Sequence, residues 1–436
     1  MQEDTNSKEL ELHSAVMYTY DSMEDADRAL TSLIVRMVDP VDEDSIKKAV
    51  EAVSERYSYL NLKRVKRDEK IVYVRREGGI PCANQKGGIA IGGKEMDGAL
   101  VAFTYAENEI LLEAFHGLMD GYGMMEILRT LVYYYCTARY GVELDVPAAK
   151  KVGDKIAEDE YVDILNEPVP GVDPGQLMAM GMGAPGFGMP QNIASIPEQK
   201  IEDLQCVHIG ISLPQLLKVT KESGHSVATL LTAVFNRALL DTYPELEGNI
   251  FASQAVSARK AYNGSGTLQN CTAGISLVAD DRLKQLDVLS QGPILKTQLQ
   301  MATKPEALAM QIMMLHQAGT QLEAQPTIAM KVEFLRQAMS HMLASWTYKM
   351  SYLGKLNFGE ADKYVENVFT MQDYTGDRVT MQIMATDREL CMSYIQDFQN
   401  EALMNRFMAI LNDMGIPTEV KAVCGKCGSY VKGFEE

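Results

Sequence analysis

The residue with the most legible chemistry in this chain is His116. It directly follows Ile110–Phe115, a segment with the residue types of a β-strand, and Asp120 comes shortly afterwards in a glycine-rich stretch. Imidazole titrates near neutral pH, so a histidine can take a proton from a hydroxyl or amine as that group attacks a carbonyl carbon. The residue types and their spacing therefore predict a general base at His116.

The flanking segments predict the elements that position this residue. Upstream, Leu100–Tyr105 and Ile110–Phe115 are β-prone and joined by a polar turn, which is typical of an antiparallel hairpin. Downstream, apolar residues recur at helical spacing from Met124 to Tyr135, which indicates a helix with one buried face. The glycines in between permit close backbone approaches. We therefore expect His116 in a turn that links the hairpin to a helix.

A second interpretation makes the same residues structural. His116 would then be a satisfied histidine of the core, and Asp120 would be the N-cap of the following helix, where aspartate often accepts a backbone hydrogen bond. Short motifs of this kind also match by accident. The residues alone leave both interpretations open.

The run Phe115–Gly121 resembles the His-His-x-x-x-Asp-Gly signature of the chloramphenicol acetyltransferase and condensation-domain superfamily. His116 matches the second, catalytic histidine, and Phe115 stands in place of the first. The resemblance implies that Asp120 is structural, ion-paired to an arginine, and holds the histidine loop in shape together with Gly121. The missing first histidine keeps a non-catalytic relative, which only binds a ligand or partner, among the alternatives.

Other segments extend the resemblance from about residue 12 to about residue 417. Val41–Leu60 is similar to the family's first long helix and the segment after it, and Gly224–Lys260 is similar to a helix-then-strand unit that ends in arginine. This similarity implies that Arg259 is the partner of Asp120. Asn270 fits the asparagine that follows this unit.

Met350–Gly359 resembles the serine, asparagine, leucine, glycine stretch of alcohol acetyltransferase-like members, with Tyr352 in the asparagine position. The resemblance implies a site for a tetrahedral oxyanion near this stretch. Its donors stay open between the backbone amides from Gly121 to Gly123 and Ser351 beside Gly354.

The implied fold is α/β (α+β), with two chloramphenicol-acetyltransferase-like αβ subdomains in a V-shaped pseudo-dimer and a channel between them. We expect an N-terminal subdomain at 1–167, a linker rich in proline, glycine and methionine at 168–199, a C-terminal subdomain at 200–420 and a tail at 421–436. A chain of 436 residues also exceeds what one core usually supports, which favours two domains.

The resemblance implies an acyltransferase that moves an acyl group from a thioester to a hydroxyl or amine of a small-molecule acceptor. Coenzyme A thioester would be a co-substrate, and no tightly bound cofactor is expected. The alternative is a freestanding condensation-type enzyme that takes thioesters from an acyl carrier protein. No metal is expected, because structural zinc needs four ligands and Cys424 and Cys427 have no second Cys-x-x-Cys pair.

Composition excludes several classes of partner. The net charge of −18 argues against nucleic acid, which needs local positive charge on the protein. The short basic cluster Lys63–Lys70 could meet a coenzyme A phosphate or an acidic carrier, although a solvated face or strand edge is the favoured interpretation. No apolar run approaches the roughly 18 residues of a membrane helix, and Met1–Leu10 is too polar for a signal peptide. With few, scattered cysteines, we expect a cytoplasmic protein.

Overall fold

Two β-sheets and the helices packed on them form the framework of this computed structural model, which describes residues 30–173, 175, 192–201, 204–343, 345–372 and 378–423. The methionine and glycine run of the expected linker, 178–189, and the Cys424 and Cys427 pair lie outside the described residues. The strands in chain order are β1 (Leu30–Met37), β2 (Leu62–Arg67), β3 (Lys70–Arg75), β4 (Cys82–Asn84), β5 (Val101–Ala106), β6 (Glu109–Phe115), β7 (Gln205–Ser212), β8 (Ile250–Ser257), β9 (Thr272–Ala279), β10 (Tyr348–Lys355), β11 (Val365–Gln372), β12 (Val379–Ala385), β13 (Glu389–Gln396) and β14 (Thr418–Val423). The helices are α1 (Glu43–Arg56), α2 (Gly121–Tyr140), α3 (Leu213–Ser223), α4 (Val227–Thr242), α5 (Asp281–Lys284), α6 (Gly292–Ala302), α7 (Pro305–Glu323), α8 (Ile328–Leu343) and α9 (Ala402–Asp413).

The first sheet has the strand order β11-β1-β6-β5-β4 within the described residues. The expected hairpin is β5 with β6, paired antiparallel with Phe103 opposite Leu112. Helix α1 begins where the Asp42 side chain accepts a hydrogen bond from the Ser45 amide, and its buried face packs on α2. The periodicity of the sequence therefore predicted the elements on both sides of His116 correctly.

The second sheet has the strand order β14-β7-β13-β12-β10-β8-β9. Helices α4 and α9 pack together and bury their apolar faces in the core of this sheet. Helix α4 begins after Ser226, whose hydroxyl forms a capping box with Thr229. Strand β10 runs parallel to both of its neighbours, β8 and β12. This central strand carries the Met350–Gly359 stretch to the middle of the molecule.

Strand β11 corrects the expected division of the chain. It lies in the 200–420 range, yet it pairs antiparallel with β1 of the first sheet, with Phe369 opposite Ile34. Without it, β1 would be an edge strand with a row of unpaired backbone groups. Strand β14 extends to Val423, so the first three residues of the expected 421–436 tail belong to the second sheet. The first sheet is therefore completed by a strand from the second half of the sequence.

The two sheets meet where β11 lies against β12 and β13. His208 of the second sheet stacks on Phe369 of the first, with ring centroids 4.1 Å apart, and its Nδ1 lies 2.9 Å from the Ser393 hydroxyl. Ile34, Leu111 and Ile395 complete a small apolar cluster around this contact. This cluster is one contact between the two sheets. The His116 turn is a second contact between the two halves of the chain.

The described residues contain no helix that is both long and apolar enough to cross a bilayer. They also contain no group of three or more histidine, cysteine or acidic side chains placed to hold a metal ion.

Candidate active site

His116 occupies the first position after β6, and α2 begins five residues later at Gly121. Asp120 is the N-cap of α2: its backbone is extended, and its Oδ1 accepts a hydrogen bond from the Gly123 amide at 3.3 Å. Such a cap satisfies one of the amides that a helix leaves unpaired at its start. Asp120 is therefore an N-cap, as the structural interpretation of the motif expects.

The imidazole of His116 has a defined orientation. Its Nδ1 lies 3.0 Å from the backbone carbonyl oxygen of Met119, within the same turn. A carbonyl can only accept, so Nδ1 carries the proton and donates it to Met119. In the neutral ring Nε2 is then the basic nitrogen. The turn thus selects the tautomer that a general base needs.

The protonation state of His116 follows from its surroundings. Burial disfavours the imidazolium and lowers the pKa of His116, and the positive charge of Lys349 acts in the same direction. The hydrogen bond to Met119 and the charge of Asp120 act against these effects but do not cancel them. Because the pKa lies below its usual value near 6.5, the ring is neutral at pH 7 and able to accept a proton.

The second half of the chain braces the histidine turn through Asn270. The side-chain amide of Asn270 donates to the His116 carbonyl at 2.7 Å, and its backbone amide donates to the Leu118 carbonyl at 3.2 Å. Met119 and Gln269 form an antiparallel bridge next to these bonds. The backbone of the turn is therefore held from both halves of the protein.

Asp120 also forms the ion pair expected with Arg259. The guanidinium donates through Nη1 to Oδ2 at 2.8 Å and through Nη2 to Oδ1 at 3.0 Å. Both residues are buried, with exposed fractions of 4% and 5%. Arg259 lies in the short helical turn Ala258–Tyr262 that directly follows β8. The pair therefore joins the start of α2 to the second sheet.

Further hydrogen bonds satisfy the remaining donors and acceptors of this buried pair. Arg259 donates its Nε to the Thr267 carbonyl at 3.0 Å and its Nη2 to the Gln269 carbonyl at 3.0 Å. Asp120 Oδ2 further accepts from the Cys271 amide at 3.1 Å. A buried ion pair is retained at little net penalty only when such hydrogen bonds satisfy its remaining donors and acceptors. The carboxylate of Asp120 therefore caps α2 and forms the ion pair with Arg259 at the same time.

The glycines of the motif allow the two halves to approach closely. A Cβ on Gly123 would lie 2.2 Å from the Leu268 carbonyl oxygen, and one on Gly121 would lie 2.4 Å from a methyl carbon of Leu353. The Gly123 amide already donates its hydrogen bond to Oδ1 of Asp120. Gly123 is therefore a packing and capping residue, which corrects its expected place among the oxyanion donors.

Strand β10 divides its residues between two environments. Leu353 packs on the first core and on Gly121, whereas Tyr352 packs on the second core. Neighbouring residues of a strand point to opposite faces, so Ser351 shares the face of Leu353. Tyr352 is thereby removed from the expected substrate region, because its side chain faces away from the His116 turn. Gly354 has a φ of +97° at an irregularity in the pairing with β12. Glycine adopts this backbone conformation more readily than any other residue, which accounts for a glycine at this position.

Phe115 explains the departure from the double-histidine signature. Its ring is fully buried and lies under its own turn, so close that a Cβ on Gly117 would be 2.4 Å from it. The guanidinium of Arg64 lies 5.1 Å from the ring centroid, and Arg64 is buried as well. The first motif position is therefore part of the core. The Lys63–Lys70 cluster lies on β2 and its turn to β3 in a two-stranded sheet, and one of its residues, Arg64, is buried.

Two buried cysteines, Cys271 beside the site and Cys136 in α2, are poor nucleophiles. Cys271 is buried beside Asp120, and burial raises the pKa of its thiol well above the usual range. Burial raises the pKa of Cys136 to about 12. The thiolate is the reactive form of cysteine. Neither thiol is therefore in its reactive form at pH 7.

Sequence reasoning did not identify the Met119 carbonyl or Lys349 as parts of this site. A backbone acceptor leaves no mark on the sequence. Lys349, however, is two residues before Ser351, and a strand assigned to this segment would have indicated that both share a face.

No family model matches the sequence, and no curated protein matches it. Solved structures do. The epimerization domain from the third module of tyrocidine synthetase B is 14% identical, with 95% of this chain and 98% of that chain covered at a TM-score of 0.63. F. graminearum TRI101, complexed with coenzyme A and T-2 mycotoxin, is 12% identical, with 94% and 100% covered at a TM-score of 0.61.

Polyketide synthase associated protein 5 from Mycobacterium tuberculosis is 12% identical, with 93% of this chain and 97% of that chain covered at a TM-score of 0.60. The similarity therefore extends over both halves of the chain. The chain therefore has the fold of these proteins over both of its halves, and this is the two-subdomain fold that the resemblance implied.

Proposed function

We propose that the protein transfers an acyl group from a thioester to a hydroxyl or amine of a small-molecule acceptor, with His116 as the general base. The observation that carries this proposal is the 3.0 Å contact between His116 Nδ1 and the Met119 carbonyl, which makes Nε2 the basic nitrogen. The turn that presents this nitrogen is held by both halves of the chain, since the Asn270 side chain donates to the His116 carbonyl at 2.7 Å.

The chemistry uses Nε2 twice. As the acceptor oxygen or nitrogen attacks the thioester carbon, Nε2 removes its proton and the imidazole becomes an imidazolium. The tetrahedral intermediate then collapses, the carbon–sulfur bond breaks, and the imidazolium returns the proton to the leaving thiolate. Ester or amide and free thiol are the products, and no covalent acyl-enzyme is formed.

The negative charge of Asp120 contributes without entering the reaction. It favours the imidazolium at His116, while its own charge is compensated by Arg259. We assign Asp120, Gly121 and Arg259 to positioning, because each fixes the turn or the contact between the halves. Donors aimed at a developing oxyanion contribute substantially to acyl transfer. The Ser351 hydroxyl is our candidate donor, since it lies on the face of β10 that carries Leu353 toward Gly121.

We infer coenzyme A thioester as the acyl donor. One structure similar to this chain, F. graminearum TRI101, holds coenzyme A together with T-2 mycotoxin. The tyrocidine synthetase epimerization domain supports the alternative, a donor attached to an acyl carrier protein. The described cysteines are all free thiols, which is typical of a reducing compartment, and we expect the enzyme in the cytoplasm.

The direct experiment is a transfer screen. Acetyl- to long-chain acyl-coenzyme A thioesters are incubated with panels of alcohols and amines, with free thiol and product mass as the readouts. A parallel arm presents the same acyl groups on a phosphopantetheinylated carrier protein. Acceptor-dependent thiol release with the matching ester or amide supports the proposal, and the arm in which it occurs identifies the donor. Thiol release without acylated acceptor in either arm would contradict acyl transfer.

A further inference from the structure

A cavity of about 220 Å³ lies on the second sheet, between the strands β7 and β13 and the start of α9. Tyr394 and Gln396 line it, and because they are two residues apart in β13 they share a face. Met404 of α9 and Val423 of β14 belong to the same lining. The volume is below the roughly 300 Å³ of a pocket for a drug-sized ligand, so the cavity suits a compound of few heavy atoms.

The cavity is on the side of the second sheet that faces away from the histidine turn. Tyr394 belongs to the same core as Tyr352. Leu353, which contacts Gly121, packs instead on the first core. A ligand in this cavity therefore does not reach His116, and the cavity is separate from the candidate active site.

Two buried polar atoms of the lining have no hydrogen-bond partner among the described residues. They are Tyr394 Oη and Gln396 Oε1, and the exposed fractions of these residues are 1% and 3%. Native structures pair nearly all of their buried polar atoms. Two such atoms in the lining of one cavity therefore indicate that a bound molecule completes their hydrogen bonds.

The orientation of the Gln396 amide is fixed by its surroundings. Its Nε2 donates to the backbone carbonyl oxygens of Phe398 at 2.7 Å and Asn400 at 3.1 Å. It also donates to Gln205 Oε1 at 2.9 Å. Exchanging Oε1 and Nε2 would place an oxygen against two backbone oxygens, so the unpaired atom is the carbonyl oxygen. Because Oε1 can only accept a hydrogen bond, its partner must be a donor.

The charge of the lining favours a cation. Among the described residues that line the cavity, Glu401 is the only acidic or basic one. It precedes α9 without a hydrogen bond from its side chain to the helix, and it is exposed. A carboxylate, an amide oxygen and a phenol oxygen can all accept hydrogen bonds. A primary ammonium group matches them, because it carries three N–H donors and a positive charge.

We propose that this cavity binds a small organic compound with a primary ammonium group, whose N–H groups donate to Gln396 Oε1 and Tyr394 Oη and whose charge is balanced by Glu401. The carbon chain of the compound lies against the apolar side chains of Val207 and Met404. The compound is a second ligand, distinct from the acyl acceptor, and its binding does not depend on the proposed acyl transfer.

The test is a ligand-observed NMR titration at pH 7 and about 0.15 M salt with three probes that share a butyl chain. Butylammonium has the charge and the N–H donors, butyltrimethylammonium has the charge alone, and 1-butanol has a donor without the charge. The native protein should bind butylammonium at least about tenfold more tightly than either other probe, equivalent to about 1.4 kcal/mol. Equal affinity for butylammonium and butyltrimethylammonium would overturn the inference, because the net negative charge of the protein attracts both cations.

Tyr394→Phe and Glu401→Gln locate the site. Each removes one polar contact, so each should weaken butylammonium binding at least about threefold. Tyr394→Phe should nevertheless melt no lower than the native protein, because its hydroxyl has no protein partner to lose. Tyr348→Phe is the matched control. Tyr348 lies in the same core and donates to Asn236 Oδ1 at 2.9 Å, so this variant should melt lower and keep the affinity.

Glu245→Gln is the control for Glu401→Gln, since Glu245 is exposed and outside the cavity lining, and it should leave the affinity unchanged. Affinity that falls equally in the lining variants and in their controls, or falls in none of them, would contradict the inference. His116→Ala should also bind butylammonium as the native protein does. Binding lost in His116→Ala but retained in both lining variants would place the amine at the active site and overturn the second site.

Discussion

Asp120 and Arg259 are 139 positions apart in the chain, yet their side chains form two parallel hydrogen bonds of 2.8 and 3.0 Å. One residue caps the helix that follows the histidine turn, and the other follows a strand of the second sheet. The pair therefore makes the geometry of the His116 turn depend on how the two halves of the protein are joined.

Asp120→Asn tests this dependence. The amide keeps the shape of the carboxylate and can cap α2, but it leaves the guanidinium of Arg259 buried without a counter-charge. We expect the free energy of unfolding to fall by about 3–5 kcal/mol. Transfer activity should fall by roughly 10–100-fold, because the turn loses its position. Urea unfolding and thiol release measure the two effects.

The matched control is Asp280→Asn. Asp280 caps α5 by accepting from the Leu283 amide, and it is exposed. Asparagine and aspartate are similar N-caps, so this change should shift stability by only a few tenths of a kcal/mol. Equal losses in the Asp120 and Asp280 variants would show that the ion pair does not stabilise the protein.

Gly123→Ala tests the close contact between the halves. The added methyl group would lie 2.2 Å from the Leu268 carbonyl oxygen, and a backbone atom cannot rotate away as a flexible side chain can. The contact must therefore open, which should lower the free energy of unfolding by about 1–3 kcal/mol. Gly274→Ala is the control for stability, since nothing lies within 4 Å of its added methyl group. A Gly123 variant as stable as the Gly274 variant would contradict this packing.

The local part of this architecture could be predicted from the sequence. The hairpin, the turn and α2 follow from residue periodicity and glycine placement, which depend on neighbours in the chain. The partner of Asp120 was found only through the resemblance to a known family, because nothing near Arg259 in sequence indicates an acidic partner. Long-range pairs are set by tertiary packing.

The crossing of β11 to the first sheet could not be predicted. Its residues alternate no more clearly than those of β12, and both are almost completely buried. Which sheet a buried strand joins depends on the edges that other segments leave unpaired. The incorrect placement of Tyr352 in the substrate region has the same cause. The face of β10 that carries its side chain depends on how this strand is oriented relative to the histidine turn.

Phe115→His restores the first histidine of the family signature and is expected to be harmful. The ring of Phe115 is completely buried under its turn and lies next to the Arg64 guanidinium. An imidazole there would be desolvated beside a cation, which should reduce the free energy of unfolding by about 1–3 kcal/mol. Phe115→Leu, which stays apolar, should lose less. Higher transfer activity in the histidine variant, at unchanged stability, would show that Phe115 is not a core residue.

The pH profile tests the protonation state of the base. Only the neutral imidazole accepts a proton, so kcat/KM should rise with pH through the pKa of free His116 and then reach a plateau. Because burial lowers that pKa, the midpoint should lie below the ordinary value of about 6.5, and activity should be maximal at pH 7. A midpoint above 6.5 would contradict the neutral ring.

The most direct measurement of the central claim is the rate of thiol release by His116→Ala, with and without added imidazole, under conditions where the native protein acylates its acceptor. We expect a rate at least about 100-fold below that of the native protein, the scale of a general base. Added imidazole should restore part of it, because it replaces the missing Nε2, and near-ultraviolet circular dichroism should show an unchanged fold. Native turnover in the folded variant would contradict the assignment of His116 as the base.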